Sequence, residues 1–105
     1  PIQAKEVVDL MRSHEVHCGI LLCGTGVGMA IAANRFKGIF AALCWNEEVA
    51  RRSKEEDQAN ILVVPSDYVS PHESIVLVRT WLEASFKSLD RYQRRIDQIN
   101  AFGGQ

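Results

Sequence analysis

Hydrophobic positions along the chain change period several times, and these changes divide it into alternating helices and strands. Ala4, Val7, Val8 and Met11 recur three and four apart, which predicts an amphipathic helix over residues 3–14. Cys18–Cys23 is instead a short apolar run that stops at glycines, the pattern of a strand buried on both faces. Gly24-Thr25-Gly26-Val27-Gly28 follows, and the small residues from Met29 to Asn34 predict a closely packing helix. Ile39–Trp45 and Asn60–Val64 read as a second and a third buried strand. Between them Asn46 is positioned to cap a helix with Glu47 and Glu48 in its first turn, where the helix dipole favours acids. Ser70-Pro71-His72-Glu73 combines a capping box with proline at the first helical position. Ile75, Val78 and Leu82 predict the buried stripe of that helix. Asp90 is positioned to cap a last helix with Tyr92, Ile96 and Ile99 on its inner face.

Helices alternating with strands predict an α/β domain with a parallel sheet. In such folds a ligand sits beyond the carboxyl ends of the strands. Cys23, the glycine loop, Trp45–Asn46 and Pro65–Tyr68 all fall at that edge. The chain has 105 residues, so residues 1–105 are read as one domain with one core. It is 47% hydrophobic and 24% charged, in the range of a folded globular chain. The net charge of −1 argues against nucleic acid as a partner. No apolar run is long enough to span a bilayer and no signal-peptide pattern is present, so the expectation is a cytoplasmic protein without a membrane partner. Three cysteines with no C-x-x-C pair predict reduced thiols rather than a disulfide framework or a zinc site, and no metal is expected. A chain that begins at Pro1 has either lost its initiator or lacks an upstream segment.

The glycine loop carries the most chemistry. Glycines let the backbone approach a ligand, and the amides at the following helix start can hold an anion. The alternative is a tight turn with only a packing role. The spacing misses the dinucleotide fingerprint, and no lysine completes a P-loop. Cys23, just ahead of the loop, is either a nucleophile or base at a helix start or an inert buried thiol. Cys18 and Cys44 lie inside apolar runs and read as core. Arg91 and Arg95 are four apart on one helix face, where they either clamp a phosphate or form a solvated basic surface. Arg51–Asp57 is a mixed charge run at a solvated helix end. His14, His17 and His72 have no metal-ligand spacing.

The run Gly19–Asn34 with its Cys23-Gly24-Thr25-Gly26-Val27-Gly28 centre resembles the ribose-5-phosphate isomerase B and galactose-6-phosphate isomerase family. The resemblance continues through Lys37–Cys44, Ala59–Leu62 and Arg91–Ile96. It implies a Rossmann-like three-layer α/β/α fold, with the family's first β-α unit and its Asp-His pair lying outside these residues. It further implies cofactor-independent aldose–ketose isomerisation of a phosphorylated sugar through a cis-enediol. Cys23 would be the base. Thr25 and the amides of Gly24, Gly26 and Gly28 would stabilise the enediolate oxygen, Val27 would line the substrate, and Arg91 and Arg95 would bind its phosphate. The family's members are dimers or larger, so a homodimer or homotetramer with sites built from two subunits is expected. Three positions depart from the pattern. The histidine assigned to ring opening falls on Glu56, the asparagine after it on Asp57, and a substrate-contacting arginine on Asp67. These acidic replacements should repel an anionic substrate, and they support an alternative: a catalytically silent relative serving as a ligand-binding or structural subunit.

Overall fold

The computed structural model of the protein describes residues 2–102. The elements follow the expected order: α1 (Ile2–Arg12), β1 (Gly19–Cys23), α2 (Val27–Asn34), β2 (Ala41–Leu43), α3 (Glu47–Asp57), β3 (Ile61–Pro65), α4 (Pro71–Glu83) and α5 (Asp90–Ala101). The strands form one parallel sheet in the order β1-β3-β2. Gly19 and Ala41 both lie opposite Ile61, and Cys23 lies opposite Pro65.

All five residues of β3 are buried, and they alternate between two cores. Leu62 and Val64 pack with Cys44, Ala50, Leu77 and Trp81 beneath α3 and α4. Ile61 and Val63 pack with Val8, Leu21 and Ala33 beneath α1 and α2. The result is the expected three-layer α/β/α arrangement, with α5 laid against α3. Two of the expected caps form. Asn46 Oδ1 accepts from the Val49 amide at 2.9 Å, and Ser70 and Glu73 exchange both bonds of the capping box.

Four details differ from the sequence pattern. The run at Cys18–Cys23 is not buried on both faces. Leu21 is buried, but Ile20 and Leu22 are 37% and 62% exposed. As an edge strand, β1 packs against α1 on one face, while α3 and α4 lie over β3 on the other and leave β1 beyond them open. Second, β2 spans only Ala41–Leu43, and its approach is held by side chains as well as by the Phe40 carbonyl, which accepts from the Asn60 backbone N–H at 3.0 Å. The Asn60 amide accepts from Phe40 N at 2.8 Å and donates to Gly38 O at 2.9 Å. Asn34 brackets Ala41 in the same way, at 2.8 Å from its N–H and 2.9 Å from its carbonyl, which occupies the outer edge of the sheet. Third, the buried stripe of α4 is Leu77 and Trp81 with Val78 beside them, while Ile75 and Leu82 face out. Both sets have helical spacing; the larger Trp81 side chain takes the core. Fourth, Leu89 rather than Asp90 is the N-cap of α5, and only Ile96 of its inner stripe is fully buried, with Tyr92 half-buried and Ile99 exposed.

Trp81 is the largest fully buried side chain. Lys54 Nζ lies 4.4 Å from its ring centroid and donates to its carbonyl at 3.0 Å, tying α3 to the end of α4. Replacing Trp81 with Ala should destabilise the domain by about 3–5 kcal/mol, a large share of the roughly 5–15 kcal/mol typical of such domains. Urea unfolding followed by circular dichroism measures it; a loss below about 1 kcal/mol would show that this core is not closed around the indole.

Candidate functional site

At the carboxyl edge of the sheet, Cys23 ends β1 half-buried and the chain turns at once through the glycine loop. Gly26 is the N-cap of α2 and has φ 80, in the left-handed region. A Cβ there would also stand 2.5 Å from Leu43 Cδ1 and 3.1 Å from Val63 Cγ1. The positive φ favours glycine, and any side chain here would force Leu43 to move. A packing role for this glycine is therefore real, and it coexists with an open loop surface: nothing stands within 4 Å of a Cβ built on Gly28. The first helical bond of α2 runs from Ala30 N to Gly26 O, so the amides of Gly28 and Met29 have no carbonyl in the helix. The Val27 amide is used inside the loop, donating to Thr25 Oγ1 at 3.3 Å. Thr25 is exposed and retains its hydroxyl hydrogen as a donor. The other thiols sit elsewhere. Cys18 is partly buried against the α3/α4 core, and Cys44 is fully buried, where burial pushes its thiol pKa up despite a hydrogen bond with Ser53.

The remaining candidates gather around the end of α3 and the start of α5. Arg95 Nη1 pairs with Asp57 Oδ1 at 3.2 Å. The Arg91 and Arg95 guanidiniums lie 4.8 and 5.9 Å from the Tyr92 ring centroid, and Arg91 Nη2 donates to the Tyr92 hydroxyl at 3.2 Å. The two arginines thus converge on one ring, with Arg95 already engaged by a carboxylate. Glu56 accepts from Arg52 Nε at 2.7 Å. That bond holds the Glu56 carboxyl below its ordinary pKa, and the positive charges of Arg52, Arg95 and Arg51 act the same way. Glu56 is accordingly ionised at neutral pH and carries no proton to donate. In the sequence Arg52 reads only as part of a solvated charge run and Tyr92 only as an inner-face residue of the last helix, so neither is a site candidate there. The four-residue spacing from Arg52 to Glu56 was the available signal for the first.

These two groups are not together within one chain. α3 leaves the carboxyl edge at Asn46 and carries the chain back about 16 Å along its eleven residues to Asp57. Asp57 precedes the start of β3, whereas Cys23 is level with its end, four strand steps or about 13 Å away. A cleft of about 890 Å³ also lies at this amino edge, between Phe36–Ala42, Asp57 and the Ile99–Phe102 end of α5. Neither the loop nor Arg91 and Arg95 line it. Among the described residues, no group of three His, Cys, Asp or Glu side chains is arranged to hold a metal ion, and no helix is long and apolar enough to cross a membrane.

A family model described as ribose/galactose isomerase matches residues 1–99. A probable ribose-5-phosphate isomerase B of Mycoplasma genitalium is 47% identical over 88 residues, covering 84% of this chain and 57% of the relative. The protein of the same name from Mycoplasma pneumoniae is 38% identical over 102 residues, covering 97% of this chain and 66% of the relative. This chain therefore spans between 57% and 66% of the length of those two relatives. Among solved structures, a ribose 5-phosphate isomerase from Thermotoga maritima superposes with a TM-score of 0.88 at 45% identity, over 92% of this chain and 66% of that one. The ribose-5-phosphate isomerase B of Mycoplasma genitalium with bound ribulose-5-phosphate gives a TM-score of 0.90 at 40% identity, over 100% of this chain and 69% of that one.

The Glu56–Arg52 pair has a signed pH consequence. A folded-state pKa held below the unfolded one adds stability above the ordinary carboxylate range, and this is lost as pH falls through the lowered value. Carbon-13 NMR should find the Glu56 midpoint below that of a free glutamate, and Arg52→Ala should move it upward. A midpoint indifferent to Arg52→Ala would remove Arg52 as the cause.

Proposed function

This chain belongs to the ribose/galactose isomerase family, and from that premise we propose that it acts on a phosphorylated sugar as an aldose–ketose isomerase, interconverting ribose 5-phosphate and ribulose 5-phosphate without metal or organic cofactor. The observation that carries this reading is the junction of β1 and α2. A cysteine ends a strand, a glycine in the left-handed region turns the chain, and the amides of a helix start face open space. Base and anion hole are then neighbours at the ligand edge of an α/β sheet. The ribulose-5-phosphate in the Mycoplasma genitalium relative supports the choice of sugar.

In the open-chain aldose, the Cys23 thiolate takes the proton from C2. The electron pair of that C–H bond enters C1–C2, and the carbonyl π pair moves onto O1, giving the enediolate. Thr25 and the loop amides stabilise the oxygen that gains charge, in a geometry that needs no reorganisation during the step. The hydroxyl proton moves from O2 to O1, the new O2 carbonyl forms, and Cys23 returns its proton to C1. Arg91 and Arg95 bind the phosphate. Because these arginines and Cys23 are at opposite edges of one chain, the working site draws its phosphate end from a second copy in a homodimer or homotetramer. The exposed apolar residues Ile20 and Leu22 on β1 support assembly of this kind.

A second reading, a catalytically silent subunit, is favoured by Glu56. With Arg52 keeping it ionised, it is a poor donor for opening a furanose ring, so even an active enzyme should use open-chain substrates better than cyclic ones. Proton exchange at C2 of ribose 5-phosphate separates the readings. Cys23→Ala should abolish exchange and isomerisation together, a loss of about 10²–10⁴-fold from the base alone. Arg91→Ala or Arg95→Ala should leave exchange chemistry intact but raise KM by about 10- to 150-fold. An active parent whose Cys23→Ala variant keeps full activity would exclude Cys23 as the base; an inactive parent would favour the silent subunit. Sedimentation should find a dimer at least, and a sole 11.8 kDa species would contradict the shared site.

A further inference from the structure

Ser66 and Asp67 begin the turn after β3 and are bonded directly to the end of β1. The Ser66 amide and hydroxyl both donate to the Cys23 carbonyl, at 2.7 and 3.1 Å, and the Asp67 amide donates to the Gly24 carbonyl at 2.9 Å. These bonds hold the Asp67 backbone against the loop. Asp67 Oδ2 lies 2.8 Å from where a Gly24 Cβ would stand, so the close approach exists only because residue 24 is glycine. Glu56 and Asp57 each hold an arginine, whereas Asp67 belongs to no ion pair among the described residues. One full negative charge is left uncompensated against the backbone of the loop that follows Cys23.

Resting on the isomerase reading of that loop, we infer that Asp67 is a specificity-determining residue that keeps the phosphate of the substrate out of the loop and admits its uncharged hydroxyl end. The loop needs such a device. Unbonded amides at the start of α2 attract phosphate as readily as they attract an enediolate oxygen. A sugar phosphate entering in reverse would lay its phosphate on these amides and leave C1 and C2 away from Cys23. A carboxylate over Gly24, in the same loop as these amides, repels a dianion and accepts hydrogen bonds from neutral hydroxyls. The charge on Asp67 therefore sets the direction of the substrate. Its ligand is the polyol end of an anionic sugar, and the anionic end belongs to the arginines.

The test reads the charge at Cys23 directly. Cys23 is alkylated with neutral iodoacetamide and with anionic iodoacetate, in the parent and in Asp67→Asn, and peptide mass spectrometry separates it from Cys18 and Cys44. The iodoacetamide-to-iodoacetate rate ratio at Cys23 should fall about threefold to tenfold in Asp67→Asn. The difference should shrink in high salt. Inorganic phosphate should protect Cys23 in Asp67→Asn and leave the parent unprotected. A ratio and a phosphate response that are the same in both proteins would overturn the inference, as would a Cys23 that neither reagent reaches. Turnover of ribose 5-phosphate by the parent is measured alongside. Loss of the isomerase reading appears as absent turnover with the ratio still shifted; loss of the Asp67 inference appears as an unshifted ratio whatever the turnover.

Discussion

Strand β3 is hydrogen-bonded to a parallel neighbour on each side and is buried on both faces, and everything else is arranged around it. Parallel neighbours cannot be joined by a tight turn. Each connection must cross back over the sheet, and here α2 and α3 do so on opposite faces. The helix that leaves the carboxyl edge at Asn46 must therefore arrive at the amino edge at Asp57. That is why residues close in sequence to the sheet divide into two groups, one with Cys23 and one with Arg91 and Arg95. The division follows from strand direction, and no side-chain rotation can undo it.

The two groups also differ in how they treat negative charge. At the amino edge, carboxylates are neutralised where they stand: Glu56 by Arg52 and Asp57 by Arg95. On the proposed reading, an incoming phosphate there would compete with Asp57 for Arg95 and meet Arg91 beside the Tyr92 hydroxyl. At the carboxyl edge Asp67 has no cation among the described residues, and the positive character of the loop beside it comes from backbone amides. On the proposed reading, side-chain charge at one end and peptide dipoles at the other would give a ligand with two unlike ends two unlike receptors.

Much of this was legible in the sequence, and the exceptions share a cause. The glycine loop, the Asn46 cap and the Ser70–Glu73 box are local, so spacing within a few residues specifies them. The order of elements followed from changes in hydrophobic period. What periodicity cannot express is which neighbour covers a surface. An apolar run such as Cys18–Cys23 reads as buried on both faces, yet Leu22 is open because the helices on that side end over β3. The stripe of α4 was shifted for a similar reason: Ile75 and Leu82 have the right spacing, but Trp81 and Leu77 fill the space beneath α4. The Arg52–Glu56 contact follows helical spacing and was readable; the Asp57–Arg95 and Asp67–Gly24 contacts join residues 38 and 43 apart and were not.

The burial of Trp81 has an optical consequence. The chain has two tryptophans, and they sit in opposite surroundings: Trp81 is enclosed with an ammonium over its ring, while Trp45 is 55% exposed at the carboxyl edge beside the cap of α3. Their emission should separate in wavelength, with Trp45 to the red and open to collisional quenching by iodide, and Trp81 to the blue and shielded. Intrinsic fluorescence thus divides into a reporter of the ligand edge and a reporter of the core, within one unlabelled molecule. Loosening of the loop region would change the first signal alone, and only cooperative loss of the sheet would change the second.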